Sequence, residues 1–552
     1  MKRFLFLALS CGLLLQGSAA AQSLALDKPV EKSLKKVKPN DIKAHITYLA
    51  DDRLLGRKPG TEGYQMAVDY VVEHYKKAGI EPGGENGTYL QLVRLRQSFP
   101  GKEASMTLAD SMGSEIQLTY NKDFSVYPHA EEPEVSLEAP LVFAGYGISA
   151  PDLDYDDYAG IDVTGKIVVV LRGAPASFPS TVSAYSRDMM TVLKTAAEKG
   201  AVGVIVASDN PKAGVVSQDR GTYSVMDPNG KVAVSRNYVS DKIRVLASIS
   251  GATFEQLLKG TGIEMAKLGD QLKQGKPASA PLAHSLRTRY TSNYKDFESH
   301  NVIGKITGSD PQLQNEYVVH SAHLDHVGIG RPVNGDSIYN GAHDNASGVA
   351  SVLEIGKVYS RLKEKPKRSI LLVMVTAEEM GLLGSAYFAR FPTVPREQIV
   401  ANINTDMPTI IAPLLSVVGL GANHSTLENE VAAAAQHLGM TVEEDPEPEQ
   451  MRFIRSDQYS FVMQGIPALH IKYGNKTKDG QNNLNKQVEQ WRKVHYHLPQ
   501  DEVTSTFDFD AGKKYVQLNF LISYQVANTT ERPSWKPGDF FGSRFGKRMS
   551  NE

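Results

Sequence analysis

The chain has 552 residues, 41% of them hydrophobic and 22% charged, which excludes wholesale disorder and exceeds one small module. Two or three domains with sizeable cores are expected. With 60 Lys and Arg against 62 Asp and Glu there is no bulk drive toward DNA or an anionic surface, so nucleic acid is not an expected partner.

Residues 1–21 read as a secretory signal peptide: Lys2 and Arg3, an apolar run from Phe4 to Leu15, then small residues ending at Ala21. That run is shorter than the roughly 20 apolar residues a spanning helix needs, so no stable membrane insertion is expected. The only cysteine, Cys11, lies inside it, and a chain cut after Ala21 would carry no disulfide. The expected location is periplasmic or extracellular, with a lipid anchor at Cys11 as the alternative.

Residues 22–37 read as a linker and 31–38 (EKSLKKVK) as a solvated basic lead-in; Ser33 to Lys36 match the S-x-x-K string of a serine acyl-enzyme but have no companion motifs. A catalytic domain is expected to open over 38–134. Its first apolar positions, Ile46, Leu49, Ala67, Val68, Val71, Val72 and Tyr75, predict two amphipathic helices, the second stopped at Gly79. Residues 135–283 change texture to short β-like runs among Gly and Pro, with one helix over 190–199, and read as an inserted small β-rich module. Asp152, Asp154 and Asp156 within it open like a calcium loop, but Asp157 and Val163 replace the required Gly and Glu, which leaves a solvated turn. From 284 to 525 strands alternate with helices: YVVHSA, then a helix from near Ala346 with Val349, Val352, Leu353, Gly356 and Tyr359 on one face, then SILLVMVTA and IVANINTDM. Such near-continuous apolar strands predict an α/β fold whose mostly parallel central sheet is flanked by helices. Residues 526–552 read as a C-terminal tail.

The chemistry gathers where those strands end. His323 and Asp325 follow the first strand, Asp344 precedes the next helix, Glu378 and Glu379 follow the second strand, and Asp406 ends the third. Ligands of open α/β sheets bind beyond the carboxyl ends of the strands, where residues distant in sequence converge. Imidazole and carboxylate without thiolate suit zinc or a similar dication, and one carboxylate can bridge two ions.

The strings HSAHLDHVG (320–328), GAHDNASG (341–348), TAEEMGLLGS (376–385), NTDM (404–407) and YHLPQDE (496–502) resemble, in order, the motifs of the co-catalytic zinc aminopeptidase and glutamate carboxypeptidase family, an M28-type metallopeptidase family. AGYGISAPDLDYDDYAGIDVTGKIVVVLRG (144–173) resembles the protease-associated domain that many secreted members carry. The resemblance implies a zinc-exopeptidase fold holding two Zn²⁺ per chain. It makes Asp344 the bridging carboxylate, His323 and Asp406 the other ligands of one ion, and Glu379 and His497 those of the second. Three carboxylates against two dications leave one positive charge, which a hydroxide neutralises.

The same resemblance makes Glu378 the general base, Asp325 the acceptor that fixes the His323 tautomer, and Tyr496 a group that helps hold the tetrahedral oxyanion. His495 competes with His497 for the last ligand position, and the resemblance selects His497. His320, His326 and His343 read as packed or surface residues. A cis peptide is expected between Asp344 and Asn345. Pro408 and Thr409 depart from the turn that follows NTDM in many relatives.

Arg455, Ser456 and Asp457, in a loop that resembles the family's cleft entrance, are the candidates for contacting a peptide substrate. Asp457 would hold a free α-amino group or cap local backbone. The expected function is a secreted zinc aminopeptidase. The alternatives are a carboxypeptidase of the glutamate carboxypeptidase type, with Arg455 meeting the substrate carboxylate, and a non-catalytic binding protein, which would have lost ligands or base.

Overall fold

The computed structural model describes residues 24 and 26–549; the expected signal segment 1–21, with Cys11, lies outside the described residues. Four parallel strands form the centre of the C-terminal half: β3 (Tyr317–His323), β4 (Ser369–Val375), β5 (Ile399–Asn404) and β6 (Ala468–Tyr473). Their lateral order is β4-β3-β5-β6, and antiparallel partners flank the group on both sides. Every residue of β4 is buried because both faces are covered. Ile370, Leu372 and Met374 point into one apolar cluster and Leu371, Val373 and Val375 into another, the period-two alternation of a strand with two packed faces.

Helices α1 (Pro39–Leu49), α2 (Glu62–Ala78), α3 (Ser347–Ser360) and α5 (Phe509–Asn528) supply the first cluster, and α4 (Leu383–Arg390) the second. Helix α2 begins where the Thr61 hydroxyl accepts from the Tyr64 amide and ends at Gly79 in the left-handed conformation, as its apolar spacing predicts. The basic stretch read as a solvated linker differs: Lys28–Lys35 is helical and buries Val30 and Leu34 in the main core, because its few apolar residues fall on one side. The segment read as a tail carries a short helix, Phe540–Phe545, whose Phe541 and Phe545 are buried beside Tyr185.

The insert contains a four-stranded parallel array, Glu134–Ala144, Ile167–Leu171, Gly203–Ala207 and Val245–Ile249. Helices Ser180–Arg187, Gly251–Leu257 and Met265–Lys273 join the expected one, found at Met189–Glu198. Two long antiparallel strands tie this array to the central sheet of the C-terminal half. Strand β1 (Leu90–Asp110) pairs with β2 (Ser279–Ile306) from Leu90 opposite Val302 to Asp110 opposite His284. The far end of β2 also pairs with Glu134–Ala144, and its near end with β4. One sheet therefore runs through both units.

Candidate metal centre

The chain leaves β3 through α3 to reach β4 on one side and then crosses to β5 on the other, so β3 marks a topological switch point with the carboxyl ends of all three strands at one rim. His323 is the last residue of β3, Glu378 and Glu379 follow β4, and Asp406 follows β5. Asp344 lies in an irregular turn, Ala342–Ala346, that feeds α3 and contains the expected cis peptide to Asn345.

The predicted ligands converge. His323 Nε2 is 3.2 Å from Asp344 Oδ1 and 3.6 Å from Asp406 Oδ1. His497 Nε2 is 3.1 Å from Asp344 Oδ2 and 3.2 Å from Glu379 Oε1. The two oxygens of Asp344 thus face two different imidazoles. His495 is elsewhere, stacked on Trp491 with ring centroids 4.6 Å apart. Donor atoms of His323, Asp344 and Asp406 lie within 4.8 Å of one another, and so do those of His326, Asp344 and Glu379. Buried nitrogen and carboxylate donors crowded without intervening cations fit a zinc-like dication.

Electrostatics agree with that fit. Burial alone would raise Asp344, but hydrogen bonds from His323 and His497 hold its carboxyl well below the usual range. Burial pushes Glu378 well above it; His323 opposes the shift, and the neighbouring Glu379 and Asp457 add to it.

The expected partner of His323 differs in detail. Its Nδ1 is 3.2 Å from the Asp325 main-chain carbonyl and 4.0 Å from the carboxylate. The Asp325 carboxylate instead accepts from the amides of Glu378 at 3.1 Å and Glu379 at 3.3 Å, and so fixes the turn that carries both glutamates. Tyr496 stacks on the His497 ring at 3.9 Å and lies beneath Arg492 at 4.0 Å. Ser456 is buried and accepts from Asn404 Nδ2 at 2.9 Å, which pins its loop to β5. Asp457 is buried beside Ser385, and burial pushes it up to about 7. Arg455 is exposed and lines a cavity of about 60 Å³ together with Asp406, Arg452, Lys472, Arg492 and Tyr496.

Of the histidines read as bystanders, His320 is buried beside Tyr359, and His343 packs against Trp491 and Phe507. His326 is fully buried as well, with Nδ1 2.9 Å from Glu379 Oε1.

Three supporting residues went unassigned in the sequence. Asp501 accepts from the amides of His343 and Asp344, both at 2.9 Å, and so anchors the turn that carries the central carboxylate. The buried Arg57 donates to the carbonyls of Leu324, Asn340 and Gly341, stapling the loops on either side of the cluster. Lys472 donates to the Asp406 carbonyl at 2.7 Å, and burial lowers it to about 8. Asp501 lies within the string YHLPQDE (496–502); the other two depend on contacts between distant segments.

Residues 301–517 match the model of peptidase family M28 and residues 137–252 that of the PA domain. Over 476 residues the chain is 23% identical to a probable glutamate carboxypeptidase, AMP1, of Arabidopsis thaliana, covering 76% of this chain and 60% of that relative. It is 26% identical over 380 residues to a probable lipoprotein aminopeptidase, LpqL, of Mycobacterium tuberculosis, covering 67% and 59%. The chain thus spans about three fifths of the length of these two relatives. A solved aminopeptidase from Aneurinibacillus sp. strain AM-1 aligns over 93% of this chain and 99% of its own with a TM-score of 0.48 and 20% identity.

Proposed function

We propose that this chain, a member of peptidase family M28 with an inserted PA domain, is an exported two-zinc exopeptidase that removes N-terminal residues from peptides. The observation that carries the reading is the convergence of His323, Asp344, Glu379, Asp406 and His497 on one rim, with the oxygens of Asp344 divided between the two imidazoles.

In this reading His323 and Asp406 hold one ion, Glu379 and His497 the other, and Asp344 both. The ions, when bound, polarise the scissile carbonyl and acidify water. Glu378, beside the cluster, takes the proton of the attacking water and returns it to the leaving amine. Asp325 orients Glu378 through its amide. Asp457, buried close enough to the cluster for His323 and Asp406 to shift its pKa, receives the substrate α-amino group. Export rests on the apolar leader Phe4 to Leu15.

A second reading, carboxypeptidase action, is favoured by the cations around the cavity beside Asp406: Arg452 is paired with Glu447 at 3.4 Å, but Arg455 at the mouth has no acidic partner among the described residues. A carboxylate would fit there.

One experiment separates the two. Matched peptides, one acetylated at the amino end and one amidated at the carboxyl end, are offered to the enzyme. Resistance of the acetylated peptide alone supports the aminopeptidase, and resistance of the amidated peptide alone supports the carboxypeptidase. Full hydrolysis of both after exhaustive chelation would defeat the metal mechanism itself.

A further inference from the structure

His326 occupies an unusual place beside this cluster. Its side chain is fully buried and neither ring nitrogen makes a well-directed hydrogen bond among the described residues, while the buried Glu379 Oε1 has two imidazole nitrogens close by, His326 Nδ1 at 2.9 Å and His497 Nε2 at 3.2 Å. The two groups approach to 2.9 Å between Nδ1 and Oε1, a hydrogen-bond distance without hydrogen-bond direction. Burying an imidazole and a carboxylate oxygen in this state costs free energy unless something else satisfies them. A shared cation does so for both.

The surroundings hold the ring in place. The His326 amide donates to the Arg57 carbonyl at 3.3 Å. Gly341, at φ 62°, leaves room on the other side: a Cβ there would stand 2.6 Å from His326 Cγ and 2.3 Å from the Asp344 carbonyl oxygen. The His497 ring lies 5.7 Å away, centroid to centroid, so two imidazoles approach Glu379 from different directions.

We propose that His326 is a protein ligand of the second dication, together with Asp344, Glu379 and His497. This rests on the two-ion reading above and adds an asymmetry to it. The ion at His323, Asp344 and Asp406 would have three protein ligands, the number that catalytic zinc sites use. The other would have four, the closed set that structural zinc sites use. The second ion would then be the more tenaciously held, and chemistry would centre on the first.

X-ray absorption of the zinc-loaded wild-type protein counts the imidazoles directly. Three shared by two ions are expected, and two would overturn the proposal. Graded chelation with metal analysis of the supernatant gives a second readout that does not use activity. Both His326→Ala and His326→Gln should weaken one ion by at least tenfold and leave the other unchanged. Wild-type retention in His326→Gln with loss in His326→Ala would instead make His326 a hydrogen-bonding support for Glu379, and would overturn ligation. A wild-type protein that retains no dication at all would remove the two-ion reading itself, a result distinct from either of these.

Discussion

Glu378 and Glu379 are adjacent in sequence, yet burial and neighbours drive them apart. Glu379, in contact with His326 and His497, is held below the usual carboxylate range although burial opposes this, whereas Glu378 is pushed above it. Two like groups with divergent environments are the mark of divided labour between ligand and acid-base group. Glu378→Gln should therefore lower turnover by a factor on the order of 10² to 10⁴ while metal analysis finds the wild-type complement; turnover near wild type would reassign the base. At this scale the convergence of His323, Asp344, Glu379, Asp406 and His497 was legible in the sequence, because five such residues came together in the order of the family's motifs. His326 was not, since HSAHLDHVG offers three histidines and strand geometry alone decides which rings face the rim. Asp325 shows the same limit: its place was foreseen, but the contact that fixes His323 comes from its carbonyl.

The segment between strand Glu134–Ala144 and strand Ile167–Leu171 turns on one buried side chain. Asp157 Oδ2 accepts from the amides of Tyr146 at 2.9 Å and Ile148 at 3.1 Å, and Oδ1 from the Tyr155 hydroxyl at 2.8 Å. Burial outweighs those three donors and pushes its carboxyl up to about 7. A folded-state pKa above the unfolded value means the native state binds the extra proton. The contribution of Asp157 to stability is therefore largest below about pH 4, falls as pH rises toward 7, and levels off above it. Asp157→Asn keeps acceptors for the two amides and removes the titration. Its melting temperature should gain on the wild type between pH 4 and 7; a constant difference across that range would show that the carboxyl does not carry the shift. The sequence marked Asp157 only as a residue that spoils a calcium loop. Its partners lie 2 to 11 residues away across a turn that no periodicity announces.

Over the whole molecule the decisive feature is the ribbon of β1 and β2. Its register runs from Leu90 opposite Val302 to Asp110 opposite His284, so the insert is joined by main-chain hydrogen bonds as well as by covalent connections. A change of composition near residue 135 announces a new unit, but pairing between segments nearly 200 positions apart leaves no local trace in the sequence. The ribbon should make the two units exchange amide hydrogens as one cooperative block, with the amides of β1 protected to the same degree as those of β4. Rapid exchange along β1 while β4 stays protected would show the insert swinging independently. The same pairing orders events at the ribosome. Residues 106–109 and 95–98 can pair early, with Glu115–Leu118 and Thr222–Val225, but β2, the partner of residues 90–110 along nearly their whole length, emerges last, so the insert is synthesised in full and can collapse on its own before the C-terminal sheet has acquired its edge. A 21-residue strand left without its longest partner for that time is a natural client for a holding chaperone, and nascent chains halted just short of residue 279 should be the ones most prone to aggregate.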